Sequence, residues 1–285
     1  MVSPRLLRRR IRSVQSTAKI TRAMEMIATA KMKKAQDSAI AGRPYSSKIQ
    51  QVIADLAFQA AAGGLSHPLL VTRETKKIAI IHITTDRGLC GGLNTNLNRM
   101  VGNYILEQKV PVTVITAGTK GRDFMRRSMR DIRAEFSKLP DRPKLFDTLP
   151  ISHIVIDDYI NGVVDKVYIA YSQFVNVMTQ KPTLEQVLPV EPAVLPKSES
   201  PDYIFEPNGL TVLDGLLPRF VEMQVYHAVL EAIASEQSAR MLAMRNATDN
   251  ANEVVAELTL TLNKARQEMI TKELLDITGG VESLK

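Results

Sequence analysis

LDGLLPRFVEMQVYHAVLEAIASEQSARMLAMRNATDNANEVVAELTLTLNKARQEMITKELLD, from Leu213 to Asp276, is the stretch on which the rest of the chain turns. Stepping alternately by three and four, it reads Leu213, Leu216, Phe220, Met223, His227, Leu230, Ala234, Gln237, Met241, Met244, Thr248, Ala251, Val255, Leu258, Leu262, Ala265 and Met269. The step never slips, and only His227, Gln237 and Thr248 interrupt its apolar character. From Arg219 to Thr278 there is no glycine and no proline, the residues that most readily end a helix. A single helix of this length is on the order of 95 Å long at about 1.5 Å per residue. A sustained seven-residue apolar repeat predicts a coiled coil with a left-handed supercoil rather than an ordinary core helix.

The competing reading, a long helix in an ordinary bundle, is opposed by the other end of the chain. A first helix is predicted from Ser3 to Ala41, with Pro4 in its first turn and Gly42, Arg43 and Pro44 as a break. Its seam is Leu7, Ile11, Val14, Ala18, Thr21, Glu25, Ala28, Met32, Ala35 and Ala39, at the same spacing and rich in alanine. A second apolar row, Ile20, Met24 and Ile27, lies beside it and implies a further protein surface around the pair.

Charge is concentrated in this helix. The first fifty residues hold twelve Lys and Arg against Glu25 and Asp37, a net of +10, whereas the whole chain is +7. Such a helix suits nucleic acid, an anionic membrane or an acidic protein surface. It lacks the aromatic interleaving that stacks bases, and its small Ala and Thr residues are unlike a membrane-embedded face. One cysteine, Cys90, excludes an internal disulfide and fits a reducing compartment. No run reaches the ~18 apolar residues of a membrane-spanning helix. No apolar signal core follows the basic start, which reads as mature sequence.

A helix is expected to resume from Tyr45 to Ala62, ended by Gly63 and Gly64. Lys77–Asp86 then reads as a buried strand, followed by a glycine-rich turn and a helix to Gln108. Further strands are expected at Val110–Ala117, Ile132–Phe136, Lys166–Phe174 and Glu185–Pro189, with helices at Gly118–Arg127 and Ile151–Val163. The fold class is thus mixed α+β and α/β. An antiparallel coiled coil of the terminal helices (residues 1–62 and 209–285) carries an inserted Rossmann-like α/β domain (76–190) and a Pro-rich connector (191–208).

The turn Asp86-Arg87-Gly88-Leu89-Cys90-Gly91-Gly92-Leu93-Asn94 invites a nucleotide hypothesis, but its glycines fit neither the phosphate-loop nor the dinucleotide spacing. It reads as a tight structural turn. His67, His82, His153 and His227 stand at no metal-ligand spacing, and no nucleophile, base and orienting acid assemble from the sequence. No catalytic residue, metal or cofactor is expected. Two other classes stay open on the residues alone, a basic coiled-coil nucleic-acid-binding protein and an α/β nucleotide-using enzyme.

Four stretches carry a resemblance: Ile20–Lys31 (ITRAMEMIATAK), Thr85–Asn94 (TDRGLCGGLN), Ser235–Asn250 (SEQSARMLAMRNATDN) and Asn263–Asp276 (NKARQEMITKELLD). Together they span the chain, which closely resembles the γ subunit of F-type ATP synthases, the central rotor shaft. Gly279-Gly280 departs from the Gly-Ala usual there. The resemblance implies a non-catalytic rotor in a proton-translocating complex. Its partners would be the α and β subunits of a hexamer, the ε subunit and the ring of c subunits. It further implies that Met24, Arg266, Gln267, Thr271 and Glu273 meet the β subunits and couple rotation to nucleotide affinity. Tyr203 and Glu206 would face the c ring and ε side. With Cys90 alone, the dithiol switch of chloroplast relatives is impossible, so the expected location is the cytoplasmic face of a bacterial plasma membrane.

Overall fold

The computed structural model describes residues 3–62, 67–190 and 209–282. In chain order it holds α1 (Pro4–Ala62), a short 3₁₀ turn (Pro68–Leu70), β1 (Ile78–Ile83), α2 (Leu93–Glu107), β2 (Val112–Ala117) and α3 (Thr119–Arg127). Then come β3 (Asp131–Phe136), α4 (Leu145–Ile160), β4 (Lys166–Phe174), β5 (Gln180–Leu188) and α5 (Gly209–Glu282). The chain divides into two compact units, Met1–Ala28 with Arg240–Lys285, and Thr29–Ala239.

The larger unit is built on one five-stranded sheet in the order β3-β2-β1-β4-β5. β3, β2, β1 and β4 are parallel, and β5 returns antiparallel to β4. All six residues of β1 are buried, because both sheet faces are covered. Ala79, Ile81 and Ile83 join Ile151, Val155 and Tyr159 of α4 and Leu213, Leu217 and Val221 of α5 in one apolar layer. Ile78 and Ile80 join Leu97 and Val101 of α2 and Met125 of α3 in the other.

Three prolines mark where the sequence expectations are corrected. α1 runs through Gly42, Arg43 and Pro44 without the expected break. A proline costs one backbone hydrogen bond and bends a helix, but does not oblige it to stop. α4 starts at Leu145 rather than Ile151 and contains Pro150; Asp147 anchors its start by accepting the Lys144 N–H at 2.7 Å. β5 begins at Gln180 rather than Glu185 although it includes Pro182, which an edge strand tolerates because an unpaired N–H position can face outward. α5 likewise passes through Pro218. Burial of Leu213, Leu217, Phe220 and Val221 at ~1.5–3 kcal/mol each outweighs the ~3 kcal/mol such a proline costs.

The smaller unit pairs the two chain ends. Leu7, Ala18, Thr21 and Ala28 of α1 and Met241, Met244, Thr248 and Ala251 of α5 are buried, as the seam spacing predicts. Thr21 meets Thr248 and Glu25 meets Arg245, so position rises on one helix as it falls on the other: the pair is antiparallel.

Candidate functional site

Small side chains let α1 and α5 approach closely, and two polar links then fix their register. The Thr21 and Thr248 hydroxyl oxygens lie 2.6 Å apart in the buried seam. Each hydroxyl also reaches a carbonyl on its own helix, Ala18 for Thr21 and Met244 for Thr248. Two protons thus serve three contacts, and one hydroxyl must give its proton across the seam. One turn further on, Arg245 Nε donates to Glu25 Oε1 at 3.0 Å, with Glu25 largely covered and Arg245 mostly exposed.

This register places the start of α1 opposite the region of Ala265. Beyond it α5 continues alone. Burial falls accordingly along the α5 seam: Thr248 and Ala251 are buried, Val255, Leu258, Leu262 and Ala265 half-buried, and Met269 exposed. Leu274, Leu275 and Ile277 leave 58%, 65% and 64% of their surface bare. On α1, Ile20 and Ile27 of the expected second row are 60% and 57% exposed, while Met24 is half-buried. Two apolar patches are therefore uncovered on this unit.

Arg266, Gln267, Thr271 and Glu273 all stand exposed on this overhanging part of α5. Met24 does not join them. It stands level with Arg245, and the 21 residues between Arg245 and Arg266 put roughly 30 Å of helix between the two groups. Sequence reading missed the Glu25–Arg245 link, since its only sequence signal is opposite charge at matching positions of a register not yet known. Tyr203 and Glu206 lie outside the described residues.

The glycine-rich turn after β1 is occupied by its own hydrogen bonds. Asp86 accepts from the Thr119 N–H at 3.0 Å and hydroxyl at 2.7 Å and from the Lys138 N–H at 2.8 Å. Asn94 donates to the Thr85 hydroxyl at 2.8 Å and accepts its N–H at 3.2 Å. Gly118, at φ +115°, admits no side chain, since a Cβ would stand 2.2 Å from the Thr84 carbonyl oxygen. The turn thus fastens helices to strands. His67 and His153 do have carboxylate neighbours, Asp214 at 3.3 Å and Glu222 at 3.2 Å, both distant in sequence. Burial pulls the His67 pKa down and Asp214 only partly offsets this. Among the described residues no three His, Cys, Asp or Glu side chains gather as a metal site, and no helix is long and apolar enough to cross a membrane.

A family model described as ATP synthase matches residues 3–284. The chain is 61% identical over 284 residues to the ATP synthase gamma chain of Dehalococcoides mccartyi strain 195, covering all of both chains. The chain belongs to the ATP synthase gamma-chain family. The gamma chain of Roseiflexus castenholzii is 48% identical over 287 residues, with 100% of this chain and 99% of that one covered. Among solved structures, the rotor of Euglena gracilis mitochondrial ATP synthase matches at a TM-score of 0.68 and 21% identity, covering 94% of this chain and 98% of that one. A chain of the Tetrahymena thermophila mitochondrial central stalk and c ring matches at 0.62 and 24%, covering 80% and 99%. For a gamma chain, the antiparallel helices and the inserted sheet are the family fold.

Proposed function

We propose that this gamma chain is the central-stalk rotor of a proton-translocating F-type ATP synthase, itself without a catalytic site. The observation that carries the reading is the overhang of α5, an exposed helix end with bare apolar side chains that an isolated soluble chain has no reason to keep. Inside a hexamer of α and β subunits, that end and the Ile20–Ile27 row would form the bearing, and the basic face of α1 would meet acidic β-subunit loops. The ε subunit and c ring would hold the opposite end, with Tyr203 and Glu206 on that side. The complex would lie at the cytoplasmic face of a bacterial plasma membrane.

The mechanism requires asymmetry. Different faces of the helical pair carry different groups: the Glu25–Arg245 pair on one, exposed isoleucines on another, Arg266, Gln267, Thr271 and Glu273 near the tip. Each rotation step would present a different face to each of three equivalent nucleotide sites. The resulting shift in a site's conformational equilibrium is limited to the difference in contact energy between faces.

Met24→Lys tests this reading, because it adds a cation level with Arg245. The purified complex should assemble and hydrolyse ATP while pumping fewer protons per ATP in inverted vesicles. Equal loss of hydrolysis and pumping would refute coupling at this level. Native mass spectrometry of the complex should show one copy with three α and three β subunits; a free monomer would refute the rotor reading itself.

A further inference from the structure

Within the larger unit, one apolar layer joins the sheet to both long helices, and its described members reach Ile49 on α1 and Ile233 on α5. Beyond these residues the described links between the sheet domain and the helices are polar, and the rotor reading does not use them. The turn between β4 and β5 meets α5 at Ser238, which is fully buried. Ser238 Oγ donates to the Val177 carbonyl at 2.8 Å and accepts from Gln180 Nε2 at 3.4 Å. This aim is not the local one. Thr248, Thr259, Thr261 and Thr278 of the same helix each turn back to the carbonyl four residues earlier. The turn is shaped to receive Ser238: Asn176 Oδ1 accepts the Met178 and Thr179 N–H groups at 2.9 and 2.8 Å, and Gln180 Nε2 reaches the Asn176 and Val177 carbonyls.

The loop between β3 and α4 forms a second link. Asp141 accepts from Lys31 Nζ of α1 at 2.6 Å, and the Pro143 carbonyl accepts from the Tyr226 hydroxyl of α5 at 3.3 Å. The loop is tied back to the sheet domain at both ends, by the Lys138 N–H on Asp86 and the Lys144 N–H on Asp147. The register that joins Thr21 to Thr248 puts Lys31 level with Ser238. We infer that Ser238 and the Lys31–Asp141 pair are positioning residues that key the sheet domain to the two helices against twist. Apolar contact resists separation but has no direction, so layers held by it alone can slide. Hydrogen bonds weaken steeply with angle and so fix the rotational setting. In a rotor, torque passing between the sheet domain and the helices crosses these links. The inference rests on the rotor reading.

Single-molecule rotation of the assembled complex tests it, with the α and β subunits fixed to glass and a bead carried on the sheet domain through Glu107→Cys. Glu107 is exposed, and Cys90, 2% exposed, does not compete for the label. Between ATP-driven steps, Ser238→Ala and Asp141→Asn should each roughly double the angular variance of the bead, as loss of one of two parallel fastenings does. Asp141 is 67% exposed, so its variant keeps the fold. High salt should widen the spread further in Ser238→Ala, which keeps only the exposed ion pair, and should leave Asp141→Asn as it was. Exchanging the charges, Lys31→Asp with Asp141→Lys, should restore the natural spread. Arg126→Gln, whose partner Glu135 lies within the sheet domain, should change nothing. A turning bead with unaltered variance in both variants, or equal widening in Arg126→Gln, would overturn the keying alone; a bead that never turns in the natural complex would refute the rotor reading and the keying with it.

Discussion

His82 shows how one residue can set a pH limit from inside a strand. It is fully buried on β1, and neither ring nitrogen has a partner. Burial pushes its pKa down from 6.5 to about 3. The unfolded chain takes up a proton near pH 6.5 and the folded chain only near 3, so unfolding is favoured as pH falls through that window. This contribution is absent above 6.5 and grows by ~1.4 kcal/mol per pH unit below it. His82→Leu removes both the titration and the unpartnered nitrogens. Urea unfolding should find the variant no less stable at pH 7 and ahead of the natural chain by about 2 kcal/mol at pH 5. Identical pH profiles for the two chains would show that the ring does not titrate in this window.

At the scale of the element, seam spacing marked the residues buried where α1 and α5 pair, Leu7, Ala18, Thr21 and Ala28 with Met241, Met244, Thr248 and Ala251, but not Leu217, Val221 and Val225, which lie off the seam and are buried against the sheet domain's core. Register was not legible. It rests on Thr21 with Thr248 and Glu25 with Arg245, pairs more than 200 residues apart whose match exists only once the helices meet. A double-mutant cycle with Thr21→Val and Thr248→Val should give a coupling of about 1 kcal/mol in thermal unfolding, with the double variant at least as stable as the natural chain. Additive single effects would mean that the hydroxyls do not share a hydrogen bond. The prolines misled for a related reason. Pro44, Pro150 and Pro182 forbid one bond each, and whether the element survives depends on burial and edge position, which the local sequence does not carry.

Across the whole molecule, burial is dense at the sheet and thins toward the far end of α5. The four stretches that carry the family resemblance gave the site residues their expected roles. Their grouping, four on the overhang and Met24 some 30 Å along the helix axis, waited on the register. Leu274→Ser with Leu275→Ser separates stability from assembly. Both side chains are bare in the chain alone, so its melting temperature should hold within a degree or two, while the yield or coupled activity of the assembled complex should drop several-fold. A large loss of melting temperature would mean that the overhang packs within the chain itself.

The pairing of the two chain ends also sets a schedule for synthesis. Residues up to Ala28 leave the ribosome first, but their partners begin only at Arg240. At about 5–20 residues per second, the N-terminal helix waits roughly 10–40 s for its seam to be covered. Through that interval its alanines, isoleucines and arginines are open to chaperones and to other nascent copies, so the cell must guard the start of the chain until the end arrives.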